Sequence, residues 1–149
     1  MLRPQDIMIG DWLMAEGRVV RVAAVHQRKI GYHRRHDKLA WIRLDRLVYI
    51  PIMPNTLRAF GFVRKEELDG FLDDDNAWEF TADGLSFDEG SPFALSWREE
   101  ADGGRRYKVV TRGYGEYPSF PHDAISDVQH FFYDFTHGNV LPIEFKTKE

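Results

Sequence analysis

The chain contains no cysteine. Disulfides, thiolate catalysis and cysteine-based zinc sites are thereby excluded. Long apolar runs are missing too. Stretches such as Leu47-Val48-Tyr49-Ile50 and Phe131-Phe132-Tyr133 fall far short of the roughly 20 apolar residues that cross a bilayer. Met1-Leu2-Arg3-Pro4-Gln5-Asp6 has no apolar centre of the secretory kind. A cytoplasmic chain without membrane contact is expected. Catalytic signatures are scarce as well. No Gly-x-Ser-x-Gly elbow surrounds Ser86, Ser91, Ser96, Ser119 or Ser126. Gly113-Tyr114-Gly115 lacks the third glycine of a dinucleotide loop, and no Gly-Lys-Ser/Thr follows it. Asp73-Asp74-Asp75-Asn76 lacks the glycine and glutamate of an EF-hand and reads as a solvated loop. The histidines, His26, His33, His36, His122, His130 and His137, show no spacing that gathers three or four ligands, and read as surface residues. The expectation is no catalytic residue, no metal and no cofactor.

What is present is a globular composition. Hydrophobic residues make up 43% and aromatics 14% of 149 residues, enough for one good core or two small ones and too much for disorder. Charge is unevenly spread. Residues 1–50 hold ten Lys/Arg against five Asp/Glu, a formal +5, whereas residues 51–149 stand at −9 and the whole chain at −4. Such asymmetry hints at a polyanion-facing surface at one end.

The basic part reads as short strands. Trp12-Leu13-Met14-Ala15 turns through Glu16-Gly17 into Arg18–Val25, because glycine supplies the positive φ of a tight hairpin. Lys29-Ile30-Gly31-Tyr32, Leu39–Leu44 and Leu47–Ile50 complete five strands, which predicts an SH3-like small barrel over 1–50. Pro51 and Pro54 end that unit. Residues 51–149 read as an antiparallel α+β unit. A short helix starts at Pro54 or Asn55 and stops at Gly61. Phe62-Val63 is a strand, Asp69–Asn76 a charged loop, and Ala77–Phe80 is expected to meet Leu85-Ser86-Phe87 across Asp83-Gly84. Phe93, Leu95 and Trp97 share one strand face, and Asp102-Gly103-Gly104 forms the clearest hairpin, leading into Arg106–Thr111. A C-terminal amphipathic helix, capped by Asp123 and stopped at Gly138, should carry the stripe Ile125, Val128, Phe131, Phe132 and Phe135. The fold class expected is α+β.

Two stretches carry a resemblance. Pro51-Ile52-Met53-Pro54-Asn55-Thr56-Leu57 with Gly61-Phe62 resembles a Pro-Leu-Thr-x-x-x-Leu-x-x-x-Gly-Phe junction. Ile125-x-x-Val128-Gln129-x-Phe131-Phe132-Tyr133-x-Phe135-Thr136, with Gly138 after it, resembles a helix written Val-x-x-Leu-Gln-Asn-Leu-Tyr-Phe-Ala-Leu-Thr-Gly. Both belong to a group of small uncharacterised proteins of Bacteroides-type gut bacteria and their mobile elements, whose opening Ile9-Gly10-Asp11-Trp12 also fits. His130 stands where that group has Asn, and His137 is an extra residue before the glycine. The resemblance implies a bacterial origin and this general architecture, and it carries over no catalytic residue.

The candidate binding site is the basic hairpin Arg28, Lys29, Tyr32, His33, Arg34, Arg35 and Lys38. Clustered cations grip phosphates, and Tyr32 or Trp41 would serve as a stacking platform. The competing reading is a solvated hairpin tip, or one docked on the protein's own acidic part. The aromatic loop Tyr114, Tyr117, Pro118, Phe120 and Pro121 reads as a partner platform or, preferably, as a connection pinned by its own rings. Taken together, these readings predict a non-enzymatic adaptor or binding module of a bacterial cytoplasm. A protein partner is preferred over nucleic acid, since the −9 remainder repels a polyanion. A nucleic-acid-binding barrel is the alternative, and a small enzyme the next.

Overall fold

The computed structural model describes residues 2–34, 38–64, 77–80, 93–111 and 114–146, and it is an α+β structure. Among these residues it has three antiparallel sheets and two α-helices. The chain divides into two compact units. Residues 1–51 and 124–140 make the first, and residues 52–123 and 141–149 the second. The C-terminal helix, expected within the 51–149 part, therefore groups with the N-terminal strands.

In the first unit, β1 (Trp12–Ala15) and β2 (Arg18–Arg21) form a hairpin whose two turn residues, Glu16 and Gly17, both have positive φ. That is the turn whose twist matches a strand pair. The predicted strand Arg18–Val25 is broken in two, β2 and β3 (Ala24–His26). The break is a change of partner. Val22 exchanges hydrogen bonds with Gly10 and Asp11, while the Ala23 N–H donates to Gly31. One run of chain thus serves two sheets. The first has the order β2-β1-β6, with β6 spanning Leu47–Tyr49. The second has the order β3-β4-β5, with β4 at Lys29–His33 and β5 at Leu39–Arg43. A 3₁₀ turn at Leu44–Arg46 leads from β5 to β6. Leu13, Ile30 and Val22, all nearly solvent-free, join Leu2, Ile7, Val20, Leu44 and Leu47 in one core cluster.

Helix α2 (Ile125–Phe135) completes this unit. Its buried residues are Ile125, Val128 and Phe132, with Ser126, Asp127 and Gln129 buried too. Phe131 and Phe135, placed in the stripe by spacing, are only half-buried and stack on each other at 5.7 Å. Asp123 is not the cap. The cap position is Ala124, and its N–H donates to the Asp127 carboxylate, which thus satisfies one orphan donor of the first turn. At the other end, Gly138 N–H donates to Tyr133 and His137 N–H to Asp134. That is a Schellman ending in which His137, at φ 58°, takes the left-handed position usually held by glycine.

In the second unit, α1 (Pro54–Ala59) ends in the same way: Phe62 N–H donates to Leu57, and Gly61, at φ 94°, to Arg58. A five-stranded sheet has the order β11-β10-β9-β8-β7, from Tyr114–Glu116, Arg105–Thr111, Phe93–Glu99, Ala77–Phe80 and Val63–Arg64 respectively. The β9–β10 hairpin forms over Asp102-Gly103-Gly104 as expected. Strand β8 pairs with β7 on one side and β9 on the other; its predicted partner is Leu85-Ser86-Phe87. That segment, the Asp69–Asn76 loop and Asp73-Asp74-Asp75-Asn76 lie outside the described residues. β9 is central, so Ala94 and Ser96 are buried along with Phe93, Leu95 and Trp97. The last described residues return to this core: Leu141 and Ile143 are fully buried, Phe145 packs on Phe60 at 5.6 Å, and Lys146 N–H donates to Ala59.

Candidate functional site: a tryptophan on a cationic sheet face

Side chains alternate along a strand, so each sheet has two faces. In β3-β4-β5 the register sets His26 opposite Lys29, Lys29 opposite Arg43, Gly31 opposite Trp41 and His33 opposite Leu39. These residues share the outer face. Val25, Ile30, Tyr32 and Ile42 point the other way and pack with the core cluster. Strand β5 inverts the usual pattern for a half-buried strand. Its outer residues Leu39 and Trp41 keep 42% and 45% of their area exposed, where polar side chains would ordinarily stand.

Trp41 is surrounded by nitrogen. The Lys29 ammonium lies 4.9 Å from the centroid of its ring, and His26 approaches edge-on at 6.4 Å. Arg43 follows two residues along the same face, about 7 Å further on at the rise of a strand. Opposite Trp41 is Gly31, whose missing side chain leaves room that Leu39 fills; a Cβ there would meet Leu39 Cδ1 at 3.1 Å. No carboxylate occupies any outer-face position of the three strands. Asp45 pairs with Arg43 just beyond β5.

The predicted basic hairpin is therefore not one cluster. Arg28 and Lys29 stand at one end of β4, while Arg34 and Lys38 stand at the other. Lys29 and His33 are about 13 Å apart along the strand. Arg34 N–H donates to Lys38 across the β4–β5 connection. Arg35 lies outside the described residues. Tyr32 packs on the core and leaves the outer face, so Trp41 is the aromatic that remains exposed there. Among the described residues, none of Arg28, Lys29, Arg34 and Lys38 has a carboxylate partner, whereas Arg3, Arg43 and Arg46 pair with Asp6, Asp45 and Glu16. At the Arg28 end, an open cleft of about 410 Å³ is lined by Arg3, Arg28, Arg43, Leu2, Leu44 and Asp45 among others.

Two polar clusters went unseen in the sequence. Asp11 is 2% exposed; its carboxylate accepts from the Met8 N–H at 2.9 Å and contacts His130 Nε2 at 2.7 Å. Burial lowers the pKa of His130, but the bond to Asp11 and the nearby carboxylates Asp127 and Asp134 outweigh that, so it is raised overall. The surface reading of His130 is thus corrected, since it is a tie between α2 and the segment before β1. Beside it, Gln129 donates to Gly10 O and accepts from Trp12 N–H, so an amide side chain extends β1's ladder. In the second unit, Arg105 Nη1 donates to Ile52 O and to the Tyr107 hydroxyl, which donates to Asp123. Burial, with the Asp123 bond, holds the Tyr107 phenol well above its usual range against the pull of Arg105.

The aromatic loop divides. Phe120 is buried on Tyr107 at 4.7 Å, while Tyr117 stays 54% exposed beneath Arg106. Among the described residues, no three His, Asp or Glu side chains converge as metal ligands. No helix among them is long and apolar enough to cross a membrane. Compared with protein-family models, curated proteins and solved structures, the chain matches none.

Proposed function

We propose that residues 1–50 form an SH3-like small barrel serving as a non-enzymatic binding module of a bacterial cytoplasm, with the outer face of β3-β4-β5 as its docking surface for an anionic partner. Three features support the barrel. The β2–β3 run is shared by both three-stranded sheets, a 3₁₀ turn delivers the chain to β6, and a single core cluster lies among them. The bacterial setting rests on the resemblance carried by 51–62 and 125–138.

One observation carries the docking reading: Trp41 stays 45% exposed with Lys29 over its ring, on a face that bears no carboxylate. Cations and an aromatic left open together are the usual makings of a recognition surface. Heparin, a polyanion without bases, tests the charge half of this reading. The wild type should be retained on a heparin column and elute at higher salt than the Arg28→Glu/Lys29→Glu variant. Equal elution of the two proteins would overturn it.

A further inference from the structure

The same face distinguishes among anions. We infer that its ligand is single-stranded nucleic acid, with a base stacked on Trp41 and the adjoining phosphates held by Lys29 beside the ring and Arg28 in the cleft at that end of β4. This rests on the docking reading above and narrows it to one partner class.

The argument begins with spacing. Lys29 stands on the outer face at one end of β4 with Trp41 beside it, and Arg28 lines the cleft at that same end; the pairing of Arg34 with Lys38 continues the ladder and sets both on the face of Ile30 and Tyr32. Cation and ring therefore stand side by side on one face, with a second cation at its edge. A backbone that carries a charge at every step, with a flat ring attached to each, matches that order. An aromatic platform in a cationic track is how sequence-tolerant single-strand binders work.

Exposure argues the same way. Trp41 and Leu39 present 45% and 42% of their area, and a buried base face would cover what water now touches. In a duplex the base faces are already stacked and paired, so the ring has nothing to receive. An acidic peptide would neutralise Lys29 and Arg28 but offers no flat partner to the indole. The cleft beside Arg43 lies at the Arg28 end of β4. Arg28, which has no carboxylate partner among the described residues, is placed there to meet a phosphate.

These features reverse the preference for a protein partner drawn from net charge. Lys29 lies against the Trp41 ring while Arg28 and Arg43 line the cleft at the same end of the sheet, and local geometry rather than the summed charge governs contacts within a Debye length of about 10 Å.

The test is fluorescence anisotropy with the full chain at low salt. The probes are labelled oligothymidylate of about 12 nucleotides, the matching duplex, and a glutamate-rich peptide of equal charge. The oligothymidylate should bind tighter than the duplex or the peptide. Trp41→Ala should weaken it by about 5- to 150-fold, the usual effect of losing one stacked base, and Trp41→Phe should restore most of the loss. Lys29→Ala and Arg28→Ala should each flatten the log–log salt dependence by about 0.7. Thermal melts of each variant confirm folding. Equal affinity for duplex and single strand would overturn the inference. So would tighter binding of the acidic peptide, or oligothymidylate binding that Trp41→Ala leaves unchanged. In those cases heparin retention lost on Arg28→Glu/Lys29→Glu would still uphold the docking face, so the two failures are separable.

Discussion

Asp11 and His130 show how one part-buried pair makes stability depend on pH. The folded His130 titrates above its unfolded value of about 6.5. The pair therefore contributes fully below that pH and is lost as pH rises through the folded pKa. Urea midpoints should fall as pH rises above about 6.5, and His130→Gln should flatten that fall. An identical slope in both proteins would remove His130 from the account. His137 offers a second residue-scale expectation. Its φ of 58° strains any residue with a Cβ. His137→Gly should raise stability by about 1 kcal/mol, read as a higher urea midpoint. Neither pair partner was legible beforehand. Asp11 and His130 are 119 positions apart, and no local pattern links them. The turns at Glu16-Gly17 and Asp102-Gly103 were legible because a positive φ is a property of the turn itself.

At the scale of elements, alternation decides what was readable. In β9 the period-two set Phe93, Leu95, Trp97 was seen, but its central place in the sheet was not, so burial of Ala94 and Ser96 came as a finding. In α2 the spacing of three and four located a helix and misplaced its face. Gln129 and Ser126 are buried in the first turns, while Phe131 and Phe135 stay half-exposed on each other. Phe132 is the side chain in the helix's C-terminal half that is fully committed to the core, at 3% exposed. Phe132→Ala should therefore cost about 3–5 kcal/mol, whereas Phe131→Ala should cost less, by chemical denaturation. Equal losses would restore the five-residue stripe. The basic hairpin failed as a single cluster for a related reason. Adjacent numbers on a strand run along it, so Arg28 and Lys38 cannot meet across β4.

The whole molecule is two compact units through which the chain passes more than once. Its first unit holds ten Lys/Arg against seven Asp/Glu, a formal +3, and the second stands at −7. The charge split survives the reassignment of α2, which brings Asp127 and Asp134 into the first unit. Return of the tail to the second unit had no precedent in the sequence pattern, because Leu141 and Ile143 sit in a short run with no periodicity. Both are fully buried, and burying a side chain of that size contributes about 1.5–3 kcal/mol. Deleting 141–149 should lower the thermal midpoint and perturb the amide resonances of β7–β10 before those of β1–β6. A melt unchanged by the deletion would show the tail to be dispensable. The central claim is that the outer face of β3-β4-β5 is the ligand surface, and amide and indole resonances read it directly. Titrating isotope-labelled full chain with oligothymidylate should shift His26, Lys29, Gly31, Trp41 and Arg43, the Trp41 indole N–H most, and leave β8–β10 unmoved. Shifts centred on Arg106 and Tyr117 instead, or none at saturating oligonucleotide, would contradict it.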